Sequence, residues 1–232
     1  MGRVNRSAPL PTSDDAALVL RSDAERNRER ILAAARAVYS RDGLGASMAS
    51  VAREAGVGIA TVFRRFPRRA DLIEAVFADR MDAYAAAIAT ALADADPWRG
   101  FTGYIETVCA MQAADRGFAG VLTMTFPSAK ALEERRRTAY DRFVELIEKA
   151  KAAGRLRADF TSQDLVILLM ANAGVLAATA DAAPESWRRL VAYMLQAFAA
   201  PAPDALPPAP APTALYRAMV RLGRDPSGGT GP

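Results

Sequence analysis

The stretch Ser47–Leu72, SMASVAREAGVGIATVFRRFPRRADL, decides how the chain is read. After Ser47, a favourable N-cap, Met48, Val51, Ala52 and Ala55 recur at helical spacing until Gly56 stops the run. A second short run covers 59–66, and Pro67 ends it. Two brief helices joined by Gly56-Val57-Gly58 have the spacing of a helix-turn-helix. Val51, Ala52 and Val57 are expected to pack with Val62 and Phe66 and so fix the crossing angle. Ala52 and Ala55 are small enough for close approach, and Gly56 supplies the positive φ needed to leave the first helix. The second helix then turns Gly58, Ile59, Ala60, Thr61, Phe63, Arg64 and Arg65 outward, with Ser47 outward at the start of the first.

Arg64, Arg65, Arg68 and Arg69 place four positive charges in six residues, with no acid until Asp71. Through Leu72 the chain carries 13 basic residues against 8 acidic ones; beyond it the count is 17 against 18. The net charge of +4 is therefore concentrated in the first third, as in a polyanion-binding head on a neutral body. A helix N-terminus with small side chains enters a DNA major groove while arginines behind it reach phosphates. Periodicity and charge alone leave a second reading open, an amphipathic helix pair with a solvated basic face. Only three basic residues are Lys, which fits either phosphate forks or a genomic bias towards Arg.

Working outward, every segment of the central chain reads as helix and none as strand. The 232 residues, 51% of them hydrophobic, suffice for one or two domains with a sizeable core. The first helix is expected from Asp23 to Asp42, with Ile31, Leu32, Ala35, Val38 and Tyr39 on one face. Later helices are expected at about 70–94, 98–115, 117–126 and 128–153. Thr161-Ser162-Gln163-Asp164 forms a capping box, and Leu165–Ala180 then holds no charge at all. That run is short for a membrane span, and no membrane partner is expected. An aqueous helix apolar all round needs cover on both sides, which a second subunit provides. A final helix from Pro184 at N1 sets Trp187, Val191, Met194, Leu195 and Phe198 on one stripe. A homodimer is expected to close through Leu165, Leu168, Leu169, Asn172 and Leu176 of the first of these helices and that stripe of the second.

The expected architecture is all-α, a three-helix N-terminal bundle with a helix-turn-helix followed by a larger helical body. Its divisions are a flexible leader 1–22 without a signal peptide, a head 23–69, a body 70–200, and a Pro-rich tail 201–232. Six of the twelve residues from Pro201 to Pro212 are proline. The tail is therefore read as disordered, with a short amphipathic turn over 213–222 as the alternative. Absent histidines and a single cysteine, Cys109, argue against a structural zinc site or a disulfide framework. A reducing, cytoplasmic setting is expected, with no metal and no cofactor. The sequence holds no phosphate loop, no paired His and no inward acid cluster, which disfavours an enzyme.

The residues Ser47, Val51-Ala52, Ala55-Gly56-Val57, Thr61-Val62-Phe63, Phe66, Arg69 and Leu72 stand in register with a bacterial motif. Over about 24–75 the chain resembles the TetR family of transcriptional regulators. The stretches Pro97–Phe101, Ala114–Phe118 and Pro184–Arg189 are similar to an SbtR-like subgroup. The resemblance implies that Ser47 and Arg69 contact phosphate and that Thr61 faces double-stranded DNA. Gly58 stands where a Ser cap is customary, Ala60 where Gly is frequent, and Phe63 where a Tyr hydroxyl bonds phosphate. The resemblance further implies a dimeric repressor on a pseudo-palindromic operator, released by a small-molecule effector. A helical small-molecule-binding adaptor without specific DNA binding is the alternative. Phe77, Met81, Tyr84, Trp98, Phe101, Tyr104, Cys109, Met111, Phe118, Met124, Phe143 and Asn172 are the side chains expected to line an effector pocket. For each of the large or soft side chains ordinary core packing is the better single-residue reading; Asn172, polar in an apolar helix, needs a partner in ligand, second subunit or backbone. Cys109 lies in an apolar stretch without a nearby cation, as a buried inert thiol does.

Overall fold

A computed structural model of the chain describes residues 13–202 and 204–223, with side chains from residue 23 onward. Among the described residues there are ten α-helices and no strand, only an isolated bridge between Leu156 and Ala199. The head comprises α1 (Ser13–Asp42), α2 (Met48–Ala55) and α3 (Ile59–Arg65). Ile31, Ala35, Val38 and Tyr39 of α1 are buried with Val51, Ala52, Ala55, Val62 and Phe66, so the expected apolar faces do meet.

The first helix begins ten residues before Asp23. Ser13-Asp14-Asp15 opens it, and no Gly or Pro interrupts the way to Asp23, which is therefore interior rather than a cap. The remainder of the expected leader, 1–12, lies outside the described residues.

The body is built on α4 (Arg69–Ala93), which packs against α5 (Pro97–Ala114), α7 (Lys130–Ala152) and α1. Short helix α6 (Arg116–Thr123), apolar α8 (Ser162–Thr179) and α9 (Ser186–Phe198) complete it. The turns follow local chemistry. Asp96 accepts from the Trp98 and Arg99 amides at 2.9 and 3.2 Å and Pro97 opens α5, while Asp115 accepts from the Phe118 amide at 3.0 Å. Asp164 accepts the Thr161 amide at 2.6 Å, as the capping box requires. Head and body meet through Tyr39, Phe77 and Phe118, whose ring centroids step by 6.2 Å each. Gly117 permits that junction, since a Cβ there would sit 2.8 Å from the Phe77 ring.

Three further boundaries differ from those expected. Helix α6 stops at Thr123, because Arg136 of α7 donates to the carbonyls of Val121 and Met124 and to Thr125 Oγ1. The α9 helix starts at Ser186, with Glu185 rather than Ala183 at its N-cap, so Pro184 precedes it. Most of all, the tail is not disordered over 212–223: α10 (Pro212–Gly223) folds there, with Met219 buried against the body. The Pro-rich stretch before it is tied down. Buried Arg157 pairs with Asp159 and donates to the Asp204 carbonyl at 2.7 Å, and Asp159 accepts the Leu206 amide at 2.8 Å. These bonds hold the Asp159 carboxyl well below the usual carboxylate range.

Candidate nucleic-acid interface and ligand cavity

Ser47 caps α2, its Oγ accepting the Ser50 amide at 3.1 Å, and it remains exposed. Gly56 adopts φ 63°, ψ 36°, the left-handed turn expected of it. Arg30 of α1 seals this turn from behind, donating to the Ala55 and Gly56 carbonyls at 2.8 and 3.4 Å. That clamp lies 25 residues from its acceptor, and local pattern does not reveal it. With Val62 fully buried and Phe66 nearly so, α3 turns Ile59, Ala60, Phe63 and Arg64 outward. Ile59 and Phe63 are 46% and 45% exposed, one turn apart on the same face as Arg64. Gly58 at the N-cap is exposed, and Thr61 is half-buried, its Oγ1 accepting from Arg64 at 3.1 Å.

The arginines divide. Arg65 forms an exposed pair with Glu25 at 3.4 Å, and Arg68 grips Asp71 with two donors. The Arg68 hydrogen bond holds the Asp71 carboxyl below its usual value. Arg69 is half-buried and donates to the Gly223 carbonyl of α10 at 3.2 Å. Arg69, for which a phosphate contact is expected, thus directs one of its donors to the chain's own tail, a segment 154 residues away.

Within the body a cavity of about 330 Å³ lies between α4, α7, α8 and α10. Of the side chains expected to line a pocket, Met81, Tyr84 and Phe143 do so. The sequence reading missed Leu122, Tyr140, Ser162 and Val166, and above all Leu215, Tyr216 and Met219 of the tail. Tyr140 Oη and Ser162 Oγ are hydrogen-bonded at 2.9 Å on its rim. The remaining expected pocket residues fall elsewhere. Phe77 and Phe118 join head to body, and Trp98 and Phe101 stack at 5.7 Å. Tyr104 lies beside Phe143 at 5.4 Å but behind the cavity wall, and Met111 and Met124 pack on the core without lining it. Cys109 is fully buried, and burial pushes its thiol up to about 12.

Asn172 meets a side-chain partner outside its three expected alternatives, Gln112, and a backbone carbonyl, that of Cys109. Fully buried, it donates to Gln112 Oε1 at 2.8 Å and lies 3.4 Å from the Cys109 carbonyl, while Gln112 donates to the Leu169 carbonyl at 3.1 Å. It staples α8 to α5 and touches neither the cavity nor the outside. Leu165, Leu168, Leu169, Trp187, Val191 and Phe198 are likewise buried within the single chain, and Leu176, Met194 and Leu195 are partly so. The expected dimer-forming stripe is therefore the inward one. Helices α8 and α9 offer outward Ile167, Ala171, Gly174, Ala178, Tyr193 and Ala197 instead.

Two family profiles match the chain. That of bacterial regulatory proteins of the tetR family covers residues 31–76, the helix-turn-helix and its supports, and that of the SbtR-like transcriptional regulator C-terminal domain covers residues 96–198. The chain belongs to the TetR family of transcriptional regulators. Solved TetR-type structures share its fold. A TetR-family regulator from Agrobacterium tumefaciens is 18% identical, with TM-score 0.56, over 76% of this chain and 100% of its own. FadR from Bacillus subtilis, solved with stearoyl-CoA, is 14% identical, with TM-score 0.55, over 72% and 97%. FadR from Bacillus halodurans, a fatty acid degradation regulator, is 16% identical, with TM-score 0.51, over 72% and 97%. No curated protein matches the chain significantly. The first profile thus falls on the head and the start of α4, and the second on the body from the N-cap of α5 to the end of α9. Helix α8 has the length and apolarity of a short membrane span; it packs on α5, α6, α7, α9 and α10 along one side, and 22% of it is buried within the single chain.

Proposed function

We propose that this TetR-family chain is a homodimeric repressor that binds a pseudo-palindromic operator and is released when a small molecule fills the cavity of the body. The observation carrying this reading is the outward face of α3: Ile59, Ala60 and Phe63 stand clear of the head with Arg64 and Arg65 beside them. Apolar and small side chains on such a face meet base edges and thymine methyls, and the arginines behind them meet phosphates. Ser47 hydroxyl, at the exposed start of α2, is placed for a further backbone contact. Phe63 lacks a hydroxyl and contributes packing against the duplex alone.

An effector releases the protein only if it binds the DNA-incompetent arrangement more tightly than the competent one. The cavity is the site this reading assigns to it, and the stearoyl-CoA bound to the Bacillus subtilis relative supports a body of this fold as a holder of small molecules. The dimer is assigned to the outward faces of α8 and α9, whose solvent-facing small residues allow two helix pairs to approach closely. The cell compartment we infer is the cytoplasm, where DNA is met and where a lone buried thiol is in keeping.

Selection of bound fragments from a random duplex pool tests the reading directly. A two-fold symmetric motif with half-sites about one helical turn apart, or a multiple of that, is the expected result. Recovery of no enriched sequence would leave the chain as a helical small-molecule-binding adaptor.

A further inference from the structure

Helix α10 lies beyond residue 198, where the matched family profile ends, yet it touches both functional parts of the molecule. Leu215, Tyr216 and Met219 form the outer wall of the cavity, opposite Met81, Phe143, Leu165 and Leu169. At its far end the Met219 carbonyl accepts the Thr125 amide at 3.1 Å and the Gly223 carbonyl accepts from Arg69 at 3.2 Å. A helix C-terminus carries partial negative charge, so it is a suitable seat for a guanidinium. Arg69 is the last cation of the Arg64–Arg69 run and the first residue of α4, at the joint between head and body.

The wall also specifies the class of ligand. Arg136 donates to Val121, Met124 and Thr125 and is paired with Glu133 at 3.7 Å, and Arg137 is paired with Glu134. The cavity thus offers apolar surface and a rim of hydroxyl and amide groups from Tyr140, Ser162 and Gln163, with its charges compensated. Its volume of about 330 Å³ is at the lower end of small-molecule sites.

Resting on the reading of the head as a DNA-binding unit, we propose that α10 is an effector-dependent latch. It walls in a small, uncharged, largely apolar molecule with one hydrogen-bonding end, and while seated it withholds Arg69 from the DNA backbone. A ligand that touches Leu215, Tyr216 and Met219 binds the seated state better than the unseated one, so it shifts the population towards seating. Occupancy then removes one phosphate contact per subunit, which is the direction release requires.

The test uses the full chain and N-phenyl-1-naphthylamine, a neutral apolar fluorophore, as the cavity probe. Leu215→Asp puts a carboxylate into the outer wall and is expected to weaken probe binding about tenfold or more. Gly223→Val would bring a Cβ 2.5 Å from the Thr125 carbonyl oxygen, which unseats the helix end. Its binding to a random-sequence duplex is expected to tighten, and the salt slope to steepen by about one unit per subunit. In an Arg69→Ala background the same change is expected to add nothing to the slope, an outcome that a general structural effect would not produce. Gly223→Val with a wild-type slope, or Leu215→Asp with wild-type probe affinity, overturns the latch while leaving the regulator intact. Wild-type protein that shows no salt-dependent duplex binding overturns both.

Discussion

Arg64 and Arg65 are neighbours in sequence but differ electrically. Arg65 shares Glu25 at 3.4 Å, whereas Arg64 donates to the hydroxyl of Thr61 on its own helix. An exposed pair such as Arg65–Glu25 is worth about 0–1 kcal/mol, so exchanging the carboxylate for a phosphate costs little. Arg64 has no such exchange to make. Arg64→Ala is therefore expected to weaken binding to all duplexes alike and to flatten the salt slope by about one unit per lost phosphate contact, measured by titrating labelled DNA at several salt concentrations. Substitutions at Ile59 or Thr61 are expected to change which base is preferred and to leave the slope alone, read from the selected motif. Residue types on this face were legible in the sequence because helical period alone orients them. Their partners were not, since Glu25, Arg30 and Gly223 lie 40, 25 and 154 residues from the groups they meet. Cys109 gives a second prediction at this scale. Its thiol is fully buried and pushed up to about 12, so the reactive thiolate is scarce at neutral pH. A chromogenic disulfide reagent at pH 8 is expected to leave the native protein unlabelled and to label it stoichiometrically in denaturant.

Among the elements, α2, α3 and the start of α8 appear where Ser47, Gly56, Pro67 and Thr161 place them, because caps and breakers act within one turn. Helices α1 and α10 deviate for opposite reasons. Nothing in 13–22 breaks a helix, so an acceptable cap at Asp23 is overrun. Twelve residues at the tail are too short to be stable alone, and they fold because Met219 and the Thr125 backbone receive them. The polar residue in apolar α8 likewise finds its explanation in another element, Gln112 of α5. Asn172→Ala would leave the Gln112 oxygen without its donor in a buried place, for a loss of about 1–3 kcal/mol in denaturant unfolding. Replacing both Asn172 and Gln112 with Leu removes the mutual pair together and is expected to recover much of that loss, because the Leu169 and Cys109 carbonyls that also accept from them lie inside α8 and α5, where helical amides serve them. Equal destabilisation by single and double changes would show that packing volume, not the hydrogen bond, links α5 to α8.

At the scale of the molecule, the apolar all-round character of α8 predicted two covered sides but not which residues serve which. The larger side chains Leu165, Leu168 and Leu169 fill the chain's own core, and the stripe left facing solvent is Ile167, Ala171, Gly174 and Ala178. The leucines turn inward because a core gains most from burying them, and apart from Ile167 the residues left outside are small, so a second helix can come close. A Cβ on Gly174 would meet nothing within 4 Å in the single chain. Gly174→Arg is therefore compatible with the folded subunit, and Arg is the better helix former by about 0.7–1 kcal/mol. In a dimer closed across this stripe the same side chain would wedge the helices apart and bring two like charges together. The variant is expected to keep one cooperative unfolding transition and its helical content, and to sediment as a monomer where the wild type sediments as a dimer. Its binding to a two-half-site operator is expected to fall towards that of a single half-site, because the linkage between heads is what makes the second contact intramolecular. A Gly174→Arg protein that still sediments as a dimer would move the proposed subunit interface away from α8 and α9, and with it the proposed route by which cavity occupancy in one subunit changes the spacing of two heads.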